Sequence, residues 1–428
     1  MNTNQPPVGT ADQYAAFIAI DWADQQHVFS LQVAGQTKKE TGTLEQKPEV
    51  IGPWIAQLRA RFGGRAIAIG VEQSRGALLH ALLGYDFLVL YPIHSTTVAK
   101  FREAFKSSGA KSDPLDTDQI LLILTKHLAL LKPLRPDTVA TRLLARLTQD
   151  RRKVVDLRTT HIQALLAGLK EYFPQAIELF NGNVTSRLSA DFLKKWPDLP
   201  AFQAAKPAVL KKFYYGHNVR TPEVIEKMLQ LAATAQPLTT DPAIVESGRQ
   251  LSRLHSQVIQ TLNASIAEYD ERIAAVFASH PEAKIFTGLP GAGAALAPRL
   301  LAFFGTDRTR FATASNVQCF SGIAPVTKSS GRSKVVHFRL ACPKFARQTF
   351  HEFARLSVAQ CQWAANFVEY HTGRGKKYQA VIRALAFKWI RILTQCWKNR
   401  TPYDEQKYLA DLKKRGSIFA TLHLEKKS

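Results

Sequence analysis

The sequence predicts an α/β domain at roughly residues 14–135, followed by a mainly α-helical remainder. Three observations lead to this fold class. Short apolar runs alternate with helical stretches at the start, two long heptad-like stripes follow, and amphipathic helices rich in basic residues fill the end. Alternating strands and helices are typical of an α/β layer. Long apolar stripes with a period near that of a heptad predict long helices that pack on each other.

The strands predicted in the first domain carry acidic residues. Apolar runs at Phe17–Ala23 and Ala66–Glu72 indicate buried strands, and they contain Asp21 and Glu72. The other elements expected from apolar periodicity are strands at His27–Val33 and Phe87–Pro92 and a helix at Glu49–Phe62. A carboxylate in or at the end of a buried strand is costly unless something compensates its charge.

A second pair of acids lies at a predicted helix start. Pro114 suits the first helical turn and Asp113 the cap, so Asp113 and Asp116 face the same way. Together with Asp21 and Glu72 they make four carboxylates, which a divalent ion such as Mg²⁺ or Mn²⁺ would hold together. Two such ions about 4 Å apart can promote attack on a phosphodiester. The alternatives are an ordinary acidic helix cap and acids that are each hydrogen-bonded locally, without metal.

The composition restricts the partners of the chain. It has 428 residues and a formal net charge of +23, which attracts polyanions such as nucleic acid or an anionic membrane surface. The basic residues are spread along the chain, and the sequence contains no apolar run of about 18 residues. We also expect that no signal peptide opens the chain. We therefore expect nucleic-acid partners, no membrane association and a cytoplasmic location. The four cysteines lack C-x-x-C spacing and fit free thiols.

The middle of the chain, residues 136–283, predicts an antiparallel pair of long helices with an insert at 181–242 at its tip. The apolar stripes consist of Val155, Ile162, Leu166 and Leu169 in the first helix and Leu251, Leu254, Val258, Leu262, Ile266, Tyr269 and Ile273 in the second. Packing is the simplest role of these stripes. Whether they pack within one chain or between chains stays open, and we favour dimerisation. His161 is interpreted as a packed residue without chemistry.

A glycine-rich segment opens the last region, residues 284–428. Leu289–Gly293 follows a helix and lacks the third glycine of a dinucleotide-binding fingerprint. It predicts a hairpin between two helices, in which the N–H groups of Gly291 and Gly293 bind phosphate. A simple turn is the alternative. Further on, one helix is expected to place these residues in the core: Tyr378, Val381, Leu385, Trp389, Leu393 and Trp397.

Two adjacent serines lie in a strongly basic loop. Ser329 and Ser330 precede Gly331, and the cations around them are Lys328, Arg332, Lys334 and Arg339. A small hydroxyl beside a flexible glycine, with cations around it, can approach a phosphate closely and attack it. The alternative is a basic loop that only contacts the nucleic-acid backbone.

Over nearly its whole length the chain resembles the DEDD-type insertion-sequence transposases, understood as bridge-RNA-guided serine recombinases. The residues that match the family's four acids, in order and context, are Asp21, Glu72, Asp113 and Asp116. Lys111–Asp116 has the family's K-[ST]-D-x-x-D form. The resemblance implies a RuvC-like, RNase H-fold domain at 14–135, a coiled-coil region at 136–283, and a C-terminal transposase domain at 284–428 with a helix-hairpin-helix element.

The C-terminal motifs match the same family. Leu289–Gly293 matches its L-P-G-x-G hairpin, and Gly322–Pro325 followed by Ser329–Gly331 matches the stretch that carries its nucleophilic serine. The resemblance implies that Ser330 is the nucleophile, with Ser329 as the near alternative. Val335–Arg339 replaces the family's usual continuation, which is rich in glycine and lysine.

The resemblance also implies a mechanism. A structured noncoding RNA would pair with donor and target DNA, and Ser330 would form a covalent phosphoserine with the assistance of the metal. The catalytic site would be completed between subunits of a dimer or tetramer. Sequence choice would lie mainly in the RNA. Two rivals are a metal-dependent, junction-resolving nuclease without a covalent intermediate and a non-enzymatic scaffold that binds RNA or DNA.

Overall fold

The computed structural model describes residues 11–72, 76–105, 113–331 and 333–420, and for residues 105, 113–115 and 420 it describes the backbone only. The chain forms two compact units, Met1–Pro136 and Asp137–Ser428. The first is mixed α/β and the second is mainly helical, so the predicted fold class is confirmed at this level. The division into three domains stays a prediction.

The first unit is built on a five-stranded mixed sheet. Its strands are β1 (Ala16–Asp21), β2 (Gln26–Val33), β3 (Lys39–Glu45), β4 (Ile67–Val71) and β5 (Leu88–Pro92). Their order is β3-β2-β1-β4-β5. The strands β1, β4 and β5 are parallel, whereas β2 is antiparallel to both β1 and β3.

Helices cover both faces of this sheet. They are α1 (Pro48–Arg61), α2 (Ala77–Leu82), α3 (Ser95–Phe105) and α4 (Asp113–Lys126). Because side chains alternate along a strand, one face presents Ile18 and Ile20 to the apolar residues of α1 and α2. The other face presents Ala19 and Ala68 to those of α4. A Cβ on Gly70 would lie 2.8 Å from a methyl group of Ile120, so this glycine allows α4 to approach β4 closely.

The second unit begins with two long helices and the short helices between them. These are α5 (Val139–Tyr172), α6 (Pro174–Leu179), α7 (Arg187–Lys195), α8 (Leu199–Gln203), α9 (Pro207–Gly216), α10 (Pro222–Thr234) and α11 (Pro242–Ala278). Contacts between α5 and α11 show that they run antiparallel: Arg151 pairs with Asp270, Arg158 with Asn263, and His161 with His255. The aromatic core formed by the short helices lies against the ends of the long pair that they connect.

The buried stripe of α11 differs from the predicted one. Leu251 and Leu254 are 51% and 52% exposed, whereas Ile259, Ile266 and Ile273 are buried. The two long helices pack on each other within one chain. The oligomeric state stays a prediction.

The remaining helices enclose a second core around three fully buried tryptophans. The elements are α12 (Ala283–Phe286), α13 (Gly293–Phe304), α14 (Ala314–Phe320), β6 (Val326–Ser330), β7 (Ser333–His337), α15 (Lys344–Ser357), α16 (Gln362–Gly373), α17 (Tyr378–Asn399) and α18 (Glu405–Lys414). The indole N–H of Trp389 donates to Ser357 Oγ at 2.8 Å, and that of Trp397 donates to the Gly305 carbonyl at 2.7 Å. Across the described ranges, no helix has the length and apolar character needed to cross a membrane.

Candidate active site

Two of the predicted acids lie at one edge of the five-stranded sheet. Asp21 is the last residue of β1, and Glu72 directly follows β4. The two strands are parallel neighbours and Ile20 pairs with Val71, so continuing this register by one residue brings Asp21 opposite Glu72. Both side chains are partly exposed. The sheet topology therefore brings together two residues that are far apart in the sequence.

The face on which these acids fall follows from strand alternation. Ala19 of β1 and Gly70 of β4 lie on the face covered by α4. Asp21 comes two residues after Ala19, and Glu72 comes two residues after Gly70. Residues two apart on a strand share a face, so the alternation assigns both acids to the α4 side. That helix carries the other two predicted acids.

Helix α4 positions Asp113 and Asp116 differently. Asp113 begins the helix, and its side chain lies outside the described residues. Asp116 is only 6% exposed, and one of its carboxylate oxygens accepts a hydrogen bond from Arg102 Nη1 at 2.6 Å. Next to it, Ser30 Oγ donates to Thr117 Oγ1 at 3.3 Å, which anchors this turn of α4 on β2.

The Arg102–Asp116 ion pair was not predicted from the sequence. Arg102 lies on α3, and residues 106–112, which connect α3 to α4, are outside the described residues. Nothing in the spacing of the two residues signals their contact. In the portion of the chain whose side chains are described, no three His, Cys, Asp or Glu residues are grouped as metal ligands. The metal assignment of the four acids therefore stays a prediction.

In the second unit, Ser330 lies at the tip of an exposed hairpin. It is the last residue of β6 and pairs with Ser333 of β7, and the turn between them contains Gly331 with φ of +54°. Ser329 pairs with Lys334. Because neighbouring residues of a strand point to opposite faces, Ser330 and Ser329 present their hydroxyls on different sides of the hairpin. Both residues are exposed.

The predicted cations divide between the two faces of the hairpin and its base. Lys328 is two residues before Ser330 and shares its face, whereas Lys334 shares the face of Ser329; both lysines are exposed. Arg339 lies at the base, where its guanidinium donates to the carbonyls of Ala324 and Pro325 at 3.1 and 3.4 Å. Arg332 lies outside the described residues. Of the described cations, Lys328 is thus the one that shares a face with Ser330.

The glycine hairpin at Leu289–Gly293 has a packing role that the sequence did not reveal. Gly291 has φ of +80°, and its N–H donates to Gln360 Oε1 at 2.8 Å. A Cβ at this position would lie 2.5 Å from backbone atoms of Leu356 and Ser357 at the end of α15. A phosphate at the Gly291 N–H would have to displace Gln360. Gly293 is the exposed first residue of α13, and a Cβ there would have no neighbouring atom within 4 Å.

Comparison with known proteins matches both regions to transposases. A family profile described as "Transposase" matches residues 18–174, and one described as "Transposase IS116/IS110/IS902 family" matches residues 283–371. A Streptomyces coelicolor protein named as a mini-circle putative transposase for IS117 is 26% identical over 428 positions, covering 94% of this chain and 98% of the relative. An uncharacterized 42 kDa protein of insertion element IS900 from Mycobacterium paratuberculosis is 25% identical over 402 positions, covering 92% and 95%.

These matches establish the class of the protein, which is a transposase, an enzyme of DNA strand transfer. The two profiles cover the region of the sheet-edge acids and that of the serine hairpin. The chain belongs to the IS110-type family of DEDD insertion-sequence transposases, as the sequence motifs predicted. Its substrates are therefore DNA, and the family usually requires a divalent metal ion.

Proposed function

We propose that this transposase cuts and rejoins DNA through a covalent phosphoserine formed by Ser330. The observation that carries the proposal is the location of this serine at the tip of an exposed, basic hairpin. A hydroxyl at a hairpin tip can enter a DNA groove that a buried serine could not reach. The neighbouring glycine adds no side chain that would obstruct the approach to phosphorus.

The proposed reaction is a reversible exchange of phosphate esters. Ser330 Oγ attacks a backbone phosphorus, a serine–phosphate ester forms, and the bond from phosphorus to one strand breaks. The serine proton is lost and the leaving strand oxygen is protonated, so each strand ends in a hydroxyl or in the phosphoserine. Attack by the hydroxyl of another strand then reverses these steps and releases the serine. Lys328, on the same face, offsets the negative charge of the phosphate.

The carboxylates of the first unit are proposed to bind Mg²⁺ or Mn²⁺. Asp21 and Glu72 fit this role because their oxygens are hard ligands at one sheet edge. Asp113 and Asp116 complete the proposed set, and Asp116 would have to exchange Arg102 for the ion. When bound, the metal supplies Lewis-acid stabilisation of charge on the phosphate.

The resemblance to guided recombinases supports a second part of the proposal. A structured noncoding RNA encoded by the element would bind the protein and pair with donor and target DNA. The net charge of +23 is consistent with a chain that holds more than one nucleic acid. A homo-oligomer, a dimer or a tetramer on DNA, would complete the catalytic site.

The serine step can be tested by trapping the protein–DNA adduct. Full-length protein, with the RNA that copurifies with its element, is incubated with DNA containing the element's ends and analysed on denaturing gels. The adduct should be absent in Ser330→Ala and retained in Ser329→Ala, because the two hydroxyls lie on opposite faces. An adduct that persists in Ser330→Ala would exclude this serine as the nucleophile.

The acids are tested by a separate variant. Asp21→Asn keeps the size of the side chain and removes its charge, so we expect strand transfer to be lost while RNA binding is retained. Recombination at the wild-type rate by this variant would contradict the metal proposal. Cleavage without an adduct in the wild type would favour the alternative, a metal-dependent nuclease that needs only the sheet-edge acids.

A further inference from the structure

Two arginines lie against one phenylalanine at the base of the serine hairpin. Phe338 directly follows β7 and is 38% exposed. The guanidinium carbon of Arg347, on α15, lies 4.5 Å from the centre of its ring, and that of Arg383, on α17, lies 4.3 Å from it. Three separate elements therefore bring two cations together at a surface that is open to solvent.

Two other arginines of the same unit are paired with carboxylates, whereas Arg347 and Arg383 have no such partner among the described residues. Arg299 pairs with Glu352 at 2.6 Å, and Arg151 pairs with Asp270 at 2.5 Å. No carboxylate within the described ranges forms an ion pair with Arg347 or Arg383. Nη1 of Arg347 donates to the Arg339 carbonyl at 3.1 Å and to Cys342 Sγ at 3.5 Å, which leaves the N–H groups on the other nitrogens of Arg347 for a further acceptor.

The two guanidinium groups also repel each other. Burial lowers the pKa of Arg383, and the charge of Arg347 lowers it further. Holding two like charges together at a partly desolvated place has an energetic cost, which a bound anion would offset. Guanidinium groups bind phosphate oxygens with directed, often bidentate hydrogen bonds. A phosphate group is therefore the ligand that suits this cluster.

We propose that Arg347 and Arg383 bind a backbone phosphate of the DNA strand that Ser330 attacks. This inference rests on the proposed function of Ser330. Ser333 is the strand partner of Ser330, and Phe338 is five residues beyond it. Ser333 at the tip of the hairpin and Phe338 at its base are therefore at most about 17 Å apart along the strand. That length corresponds to about five base-pair rises of duplex. The cluster thus fixes the DNA at a second point within a few nucleotides of the attacked bond.

The first test measures phosphate binding without any chemistry at Ser330. Fluorescence anisotropy gives the affinity of the full-length protein for a random-sequence DNA duplex over a range of salt concentrations. Affinity falls as salt rises, and each lost phosphate contact makes the slope of log affinity against log salt less negative by about 0.9. The double variant Arg347→Gln/Arg383→Gln should show this change in salt dependence. Its DNA affinity should also be about tenfold weaker for each arginine replaced. Arg383→Lys, which keeps the charge, should retain most of the slope.

A matched control is available in the same unit. The guanidinium of Arg374 lies 4.4 Å from the ring centre of Tyr370, so Arg374→Gln removes one charge and one ring contact elsewhere on the surface. It should leave the slope unchanged. An unchanged slope in the double variant, or weaker binding of RNA with DNA binding intact, would overturn the phosphate site.

The second test locates the phosphate. Methylphosphonate, which removes the charge of one phosphate, is placed at successive positions around the bond attacked in the adduct assay. One position within about five nucleotides of that bond should weaken wild-type binding and have no further effect in the double variant. Equal sensitivity of both proteins at every position would reject the assignment. Loss of the adduct in Ser330→Ala is a separate result, so failure of the nucleophile and failure of the phosphate site are distinguishable.

Discussion

The two glycines of the Leu289–Gly293 hairpin provide a matched pair of substitutions. Gly291 and Gly293 both have positive φ, at +80° and +51°. An alanine Cβ at Gly291 would lie 2.5 Å from backbone atoms of α15, whereas one at Gly293 would lie in open space. Gly291→Ala and Gly293→Ala therefore share the conformational cost, and only the first adds a collision with a neighbouring helix.

The expected difference in the free energy of unfolding follows from these two terms. The left-handed conformation costs alanine about 1–2 kcal/mol at either position. Overpacking against backbone that cannot move freely adds about 1–3 kcal/mol at Gly291 alone. We therefore expect losses of about 2–5 kcal/mol for Gly291→Ala and about 1–2 kcal/mol for Gly293→Ala. The smaller unfolded-state entropy of alanine is the same in both variants and cancels in the difference.

Urea unfolding, amide exchange and DNA affinity together separate packing from phosphate binding. Urea unfolding followed by tryptophan emission reports on the core of the second unit that contains three buried tryptophans. One of them, Trp389, donates its indole N–H to Ser357, a residue that the added Cβ at Gly291 would approach too closely. Amide exchange of Leu356 and Ser357 should also rise in Gly291→Ala. Equal stability of the two variants, together with loss of DNA affinity in Gly291→Ala alone, would refute the packing argument and favour a phosphate at the Gly291 N–H.

Two further predictions concern buried charge. Arg102→Ala leaves the Asp116 carboxylate buried without its ion-pair partner, so the free energy of unfolding of the first unit should fall by about 3–5 kcal/mol in urea. Arg102→Lys should be closer to wild type. A loss below about 1 kcal/mol, which is typical of a surface ion pair, would contradict the buried-pair argument. His280 is buried, and burial lowers its pKa although the charges of Asp137 and Glu282 raise it. The unfolded chain therefore binds a proton at His280 more readily than the folded chain does. The contribution of His280 to the free energy of unfolding should be full above the unfolded pKa of about 6.5. It should fall as the pH drops below that value, by at most about 1.4 kcal/mol per pH unit. His280→Gln should flatten this dependence, and an unchanged profile would contradict it.

The parts of the sheet that could be predicted are those with a buried sequence pattern. The strands β1 and β4 have five consecutive buried residues each, and their apolar runs predict them directly. The edge strand β3 was missed because its sequence, Lys39–Glu45, is polar and almost wholly exposed. Its side chains are held by tertiary contacts, such as the two hydrogen bonds of 2.6 Å from Arg61 to Glu40. Contacts between distant residues leave no periodic signal.

The helices show the same limit at their ends. In α17 the predicted core positions from Val381 to Trp397 are buried, but Tyr378 in the first turn is 45% exposed. The spacing of apolar residues identifies the apolar face of a helix, whereas the packing partner determines how far along the helix that face is covered.

The candidate site likewise divides into residues that local sequence patterns identify and contacts that depend on packing. Asp21 and Glu72 could be found from their strands, but the Arg102–Asp116 pair could not, because it depends on how α3 meets α4.

The hairpin that presents Ser330 depends on its base for its position. An isolated two-stranded hairpin is marginally stable at best in water, and Val326 is its only described strand residue that is even partly buried. Arg339 ties the end of β7 to the carbonyls that precede β6, and Arg347 donates to the carbonyl of Arg339. A DNA phosphate bound at Arg347 and Arg383 would therefore act on the same contacts that hold the hairpin. Substrate binding at the base and alignment of the serine at the tip are then coupled through one strand, β7.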